Sequence, residues 1–349
     1  MTEFYSKKNL FLPGKMLDAL KRDATRFEAF AGSNGKLNMN RFLSHLIAGY
    51  YSSYTEDRRM QAAAIRDQLK EFITDTYDLN TKTAFLLDTF SPRAKEYNTK
   101  GALERVSYKP TTDTYAYIDE IEHPTDFSIV TSLSQYLRNM FASYLSLPIY
   151  EREKIIFKES VDIIEQAIAK GQSLRLEAIS SPRNAFHVIP YKLVHTSEEM
   201  FNYLLCQSYN TQMKKITPFN MRLCRIKNPI IVPEVNVIEP EVLDLLELMV
   251  QRTPQYPIYK NEETCVLMTE KGNRTFSRIY FGRPDPVRMP EKLPNGKTKY
   301  YFNHAEDQLY FYFRRFEADE AIVLYPEALA SKIKAFHENA WKTYENGEL

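Results

Sequence analysis

The chain has 349 residues, 44% apolar and 26% charged, with 46 Lys and Arg against 45 Asp and Glu. That length predicts about two or three domains with ample core, and the composition excludes disordered and fibrous classes. Cys206, Cys224 and Cys265 form no CxxC pair, the start of the chain has no apolar leader core, and no apolar run approaches the ~18 residues of a membrane span, so a reduced cytoplasmic protein without a metal site is expected.

Residues 1–55 read as one unit. KKNLFLP alternates and stops at Pro13, which predicts a short strand. MLDALKRDATRFEAFA is an amphipathic helix, GSNGK a break, and Asn38 an N-cap for a second helix with Phe42, Leu43, Leu46, Ile47 and Tyr50 inward. The strand has no obvious partner nearby, and a second copy of the chain can supply one. This order of elements resembles the ribbon-helix-helix fold, an intertwined dimer whose two strands form one antiparallel ribbon. The resemblance implies a homodimer and a ribbon able to enter a DNA major groove. Counting back from Pro13 puts Lys7, Asn9 and Phe11 outward and Leu10 and Leu12 inward. Lys and Asn read base edges and Phe does not, so DNA reading and dimerisation alone both stay open for this unit.

Residues 56–172 form a helical region. RRMQAAAIRDQLKEFITDTY reads as a helix, the stretch from Tyr77 to Tyr108 is mixed, and KPTTDTYAYIDEIEHPTD reads as a polar loop or hairpin. Asp119, Glu120, Glu122 and His123 cluster there, and a charged loop outweighs a catalytic group because no motif frames them. FSIVTSLSQYLRNMFASYLSL is a strong helix; Pro148 opens the next, which Gly171 ends.

Residues 173–233 carry the most specific pattern. From Arg183 to Lys227 seven Lys or Arg face two acids, Glu198 and Glu199. HVIPYKLV and FNYLLCQS read as strands, HTSEEM and YNTQ as turns, and MKKITPFNMRLCRI as a third run that Pro218 bends or bulges. A small antiparallel barrel or strongly bent sheet follows. The order Pro190, Leu193, Tyr203-Leu204, then Arg222-Leu223-x-Arg225-Ile226 resembles the WYL domain, an Sm-like β-barrel of bacterial regulators. Asn202, Cys224 and His187 depart from that family's usual Trp, Asp and Arg. The resemblance implies a nucleic acid or nucleotide-like ligand on a basic, aromatic-lined face. Alternation places Tyr203, Leu205 and Gln207 on one side of their strand. Tyr203 is then either a stacking ring or core. The binding reading assigns stacking to Tyr203, phosphate pairing to Arg222 and Arg225, and support to Lys192, His187 and Gln207, with Arg183 in the same basic stretch.

Residues 234–349 read as an α+β domain. Pro229, Pro233 and Pro240 mark a linker, EVLDLLELMVQR is an amphipathic helix, and TCVLMTEKG with RTFSRIYFG suggests a hairpin around Gly272. KYYFNHAEDQLYFYFRRF suggests two aromatic strands before a final helix. From Thr264 to Arg315, ten Lys or Arg face five acids, and interleaved tyrosines could extend a nucleic-acid surface.

The expected fold class is therefore α+β multidomain: ribbon-helix-helix unit (1–55), helical region (56–172), Sm-like barrel (173–233) and α+β tail (234–349). This combination resembles the WYL accessory proteins of type VI-D CRISPR systems. The resemblance implies a homodimer that binds single-stranded RNA and stimulates an RNA-guided CRISPR effector ribonuclease. The alternative is a ligand-responsive, DNA-binding transcriptional regulator. No nucleophile elbow, P-loop or HExxH is present, so no catalytic residue and no cofactor is expected.

Overall fold

Alternation in KNLFLP builds strand β1 (Lys8–Pro13), with Leu10 and Leu12 fully buried and Phe11 43% exposed. In the computed structural model, which describes residues 6–32, 35–90, 97, 103–124, 132–195, 200–317 and 319–347, β1 pairs antiparallel with β2 (Leu103–Tyr108) of the same chain. Phe11 stands opposite Arg105 and Asn9 opposite Ser107. The partner strand expected from a second copy is thus found within the chain. It was missed because LERVSY sits in a stretch with no sustained period.

The chain forms two units: residues 1–162 with 178–182 and 223–227, and residues 163–177, 183–222 and 228–349. In the first unit, α1 (Gly14–Arg26) follows Pro13 directly and buries Met16, Leu17 and Leu20. Asn38 caps α2 (Met39–Leu69), its Oδ1 accepting from the Arg41 amide at 3.0 Å. α2 runs unbroken through Thr55, so the boundary expected at residue 55 falls inside a helix. No Pro interrupts the stretch, and its apolar face passes straight from Tyr50 and Tyr51 to Tyr54 and Ala62. Helices α3 (Thr76–Phe90), α4 (Thr112–Glu122), α5 (Leu133–Leu145) and α6 (Ile149–Ile156) complete the unit's layers. The segment read as a polar loop is α4. Thr111 and Thr114 cap it reciprocally, and Ile118 and Ile121 are its buried stripe. Residues 127–131 of the helix expected from Phe127 lie outside the described residues.

Aromatic rings fill this core, with Phe30 edge-on to Phe42 at 5.2 Å and Tyr54 edge-on to Tyr136 at 5.6 Å. α2 and α6 approach at Gly49, where an added Cβ would meet the Ile155 carbonyl oxygen at 1.9 Å. Asp23 is buried and accepts from Tyr144 Oη at 3.2 Å and Arg152 at 2.6 Å, and also pairs with Arg26. Burial outweighs these partners and pushes its carboxyl above the ordinary range.

α7 (Lys158–Lys170) leads into a five-stranded sheet of order β6-β5-β4-β3-β7. Its strands are β3 (Gln172–Ala178), β4 (Ser181–Val194), β5 (Tyr203–Asn210), β6 (Lys215–Arg222) and β7 (Ile226–Val235). Among the described residues β6 and β7 stand at opposite edges, and the sheet is open where a closed barrel was expected. Pro218 in β6 and Pro229 and Pro233 in β7 remove ladder donors, which suits edge positions. Of the three prolines read as a linker, Pro229 and Pro233 thus belong to β7, and Pro240 opens the next helix. Pro218 leaves its ladder in register opposite Gln207, and the irregularity falls instead between Pro190 and Lys192.

α8 (Pro240–Arg252) packs Val242, Leu246 and Met249 on Tyr203 and Leu205. Beyond it an antiparallel sheet of order β11-β8-β10-β9 forms from β8 (Thr264–Met268), β9 (Glu291–Lys292), β10 (Thr298–Phe302) and β11 (Ala321–Tyr325). The expected hairpin around Gly272 is β8 followed by α9 (Glu270–Arg278), whose cap Thr269 accepts from the Gly272 amide. The second aromatic strand is α10 (Glu306–Phe313): Leu309, Tyr312 and Phe313 recur at helical spacing and are buried. The final helix, α11, spans Glu327–Asn346.

Candidate nucleic-acid interface

β1 and β2 make a two-stranded ribbon with one solvent face. Positions 9 and 11 on β1, continued by Lys7, and 103, 105 and 107 on β2 share that face. The expected outward phase of Lys7, Asn9 and Phe11 is what the structure has. Among the described residues this face carries Lys7 and Arg105 and no acidic side chain. Arg105 Nε donates to Asn9 Oδ1 at 2.9 Å, tying cation to amide beside the Phe11 ring. Lys8, on the opposite side, is neutralised by Glu122 at 2.6 Å.

The outer edge of β1 is occupied by α5. The Phe11 amide donates to Ser134 Oγ at 3.3 Å, Ser134 Oγ donates to the Asn9 carbonyl at 3.4 Å, and Arg138 donates to the Phe11 carbonyl at 2.8 Å. Desolvation there lowers the guanidinium pKa of Arg138. With one edge on β2 and the other on α5, β1 has no edge left for an intertwined ribbon. Arg105, Ser134 and Arg138 were not singled out from the sequence; the alternation in LERVSY was the available signal for Arg105.

The residues expected on the sheet are placed differently. Tyr203 is only 2% exposed under α8, so its ring belongs to the core. Gln207, 5% exposed, accepts from the Glu239 amide at 2.8 Å and serves the start of α8. Arg222 is brought to Tyr203, donating to its hydroxyl at 3.2 Å, and lies 4.5 Å over the Phe201 ring. Arg225 groups with the first unit, in a two-bond ion pair with Glu28 at 3.0 Å each. His187 and Lys192 are exposed on β4. The Arg183 side chain and the HTSEEM turn at residues 196–199 lie outside the described residues. The sheet therefore offers no assembled stacking site around Tyr203: α8 takes the face that alternation assigned to ligand.

The acidic cluster on α4 is taken up by neighbours: Asp119 is hydrogen-bonded to His123 at 3.2 Å, and Glu120 pairs with Arg59 at 3.1 Å. Among the described residues no group of three or more His, Cys, Asp or Glu is gathered to hold a metal. All three cysteines are buried, and burial pushes the Cys206 and Cys265 thiols up, away from nucleophilic use. No described helix is long and apolar enough to cross a membrane.

No family model matches the sequence, and no curated protein matches it. Among solved structures, a crystal structure of a CRISPR Cas-related protein is similar at a TM-score of 0.67 and 18% identity, over 100% of this chain and 96% of the other. That likeness extends to the whole mixed α and β arrangement and concerns the fold. The proteasome accessory factor B/C of Arthrobacter aurescens aligns over 69% of this chain and 37% of its own length, with a TM-score of 0.24 and 15% identity.

Proposed function

We propose that this protein binds single-stranded RNA and serves as an accessory to a CRISPR effector ribonuclease. The observation that carries the binding reading is the ribbon face: an exposed Phe11 ring opposite Arg105, flanked by Asn9 and Lys7, with no acid among them. A ring stacks an unpaired base, and the cations pair its phosphates. A duplex keeps its bases stacked internally and has no use for the ring, which puts RNA single strands ahead of an operator. The whole-chain likeness to a CRISPR Cas-related protein supports the accessory role, as does the WYL resemblance of the sheet motifs. Stimulation of an RNA-guided ribonuclease is the corresponding expectation. A homodimer is part of the same reading, through a surface other than β1.

The test is a titration of the full chain against labelled single-stranded RNA, single-stranded DNA and duplex DNA across a salt series. Tight single-stranded RNA binding that weakens in Phe11→Ala supports the reading. Preference for one duplex DNA sequence overturns it and makes the protein a transcriptional regulator.

A further inference from the structure

The second unit holds a polar cleft of about 310 Å³ between the end of α8, the turn at residues 280–285 and α10. Three guanidiniums line it: Arg252, Arg283 and Arg315. Among the described residues none of the three is within 4.0 Å of a carboxylate, unlike Lys271, Arg288 and Lys332 of the same unit, each of which has an acidic partner. Arg252 Nε is buried with no hydrogen-bond partner. Arg315 donates only to the Phe281 carbonyl, at 3.4 Å, and Arg283 rests over the Tyr280 ring at 5.5 Å. Asp285 is the one acid in the lining.

Gathering like charges around one small space is unfavourable unless an anion occupies it. The cations act on common neighbours: Arg283 and Arg315 both hold down the rise that burial imposes on the Tyr312 hydroxyl, and Arg252 adds to the burial that lowers His304. His304 is fixed at both nitrogens, 3.1 Å from the Asp285 carbonyl and 3.1 Å from Gln308 Oε1. An aromatic wall stands at the mouth. Phe281 lines the cleft with its ring 59% exposed, and Gly282 at φ +69° makes the turn that sets Phe281 beside Arg283. The volume is at the small end for ligand clefts, enough for one nucleotide and too little for a length of strand.

We infer that this cleft binds a single nucleoside monophosphate unit, its phosphate on Arg252, Arg283 and Arg315 and its base on Phe281. Guanidinium forks match phosphate oxygens in pairs, and a ring beside them takes the base. The unit has two sources, a free mononucleotide or the phosphorylated end of an RNA strand. The site is separate from the ribbon face and stands whether or not that face binds RNA.

The experiment is calorimetric titration of the full-length protein with 5′-AMP, with inorganic phosphate, and with one short RNA carrying either a 5′-phosphate or a 5′-hydroxyl. Arg283→Gln, Arg315→Gln and Phe281→Ala are compared with wild type, with Phe11→Ala as the control for the ribbon. The expected result is one 5′-AMP per chain, displaced by phosphate, with affinity lowered about tenfold or more in each arginine variant and unchanged in Phe11→Ala. A phosphorylated RNA that outbinds its hydroxyl form tenfold, with the gain lost in Arg315→Gln, identifies the strand end as the source; equal binding of the two RNAs beside good 5′-AMP binding identifies the free nucleotide. Melting without ligand guards against misfolding. Removing one of three unpaired cations should leave the midpoint level or raise it, while cancelling the rise that 5′-AMP gives wild type. The inference fails if no probe binds wild type, or if binding survives both arginine variants.

Discussion

Arg222 donates its Nε–H to the hydroxyl of Tyr203 at 3.2 Å, directly across the β5–β6 ladder, and Tyr203 lies beneath α8. The pair that the WYL resemblance cast as ligand-binding is, in this chain, a core tyrosine bracing a half-buried arginine. Tyr203→Ala should therefore act on stability, costing about 3–5 kcal/mol as an aromatic truncated in the core. Tyr203→Phe should cost about 0.5–1.5 kcal/mol, the worth of one hydrogen bond, and leave RNA affinity unchanged. Urea unfolding and an RNA titration of each variant check both statements. Lost RNA affinity in a fully folded Tyr203→Phe would return the residue to the binding site.

The ribbon face makes a separable prediction. Phe11→Ala should weaken single-stranded RNA binding by about 1–3 kcal/mol without altering its salt dependence, because a ring contacts no phosphate. Arg105→Gln should weaken binding and reduce the slope of log affinity on log salt by about 0.7, one phosphate's worth on a single strand. Fluorescence anisotropy over a salt series separates the two effects.

What the residues announced in advance follows a physical line. Element positions were legible: Leu10 and Leu12 against Phe11, the Asn38 cap, and the places of β4, β5 and β6 all came from period and capping chemistry. What covers a strand buried on both faces was not. YLLCQ is closed to solvent on either side, so alternation marked two faces without saying which one α8 would cover. Aromatic α10 reads as a strand because Tyr and Phe favour sheets by propensity, and tertiary packing overrides that preference. The arginine cleft was out of reach, since it joins positions 252, 283 and 315 that only folding brings together.

His45 sets a pH response in the first unit. Burial lowers its imidazole pKa, with Arg41 acting in the same direction against the Ile156 carbonyl, Glu159 and Asp113. At pH above about 6.5 the ring is neutral in folded and unfolded chains alike and contributes nothing. As pH falls below that value the unfolded chain takes up the proton first, so stability is lost progressively down to the folded pKa. Melting midpoints recorded between pH 7.5 and 5.5 should fall on the acid side, and His45→Gln should flatten the fall.

Gly49 is a point of close approach between α2 and α6. A methyl group there would overlap the Ile155 carbonyl oxygen, and backbone cannot swing aside as a side chain can. Gly49→Ala should destabilise the protein by about 1–3 kcal/mol despite the better helix propensity of alanine. Thermal unfolding of the variant decides between the two effects.

The double occupation of β1 reaches into how the chain is made. Its first strand is born about 95 residues before β2 and about 125 before Ser134 and Arg138, the groups that claim its two edges. During synthesis that strand waits, unpaired, for roughly 95 residues until β2 emerges, and its second edge waits for roughly 30 more. Its closure is then a single-chain event of long loop span, slow by contact order yet indifferent to how many other copies are present. Refolding of the first unit should accordingly proceed at a rate independent of protein concentration, where an interlocked pair of chains would speed up as the solution is made denser.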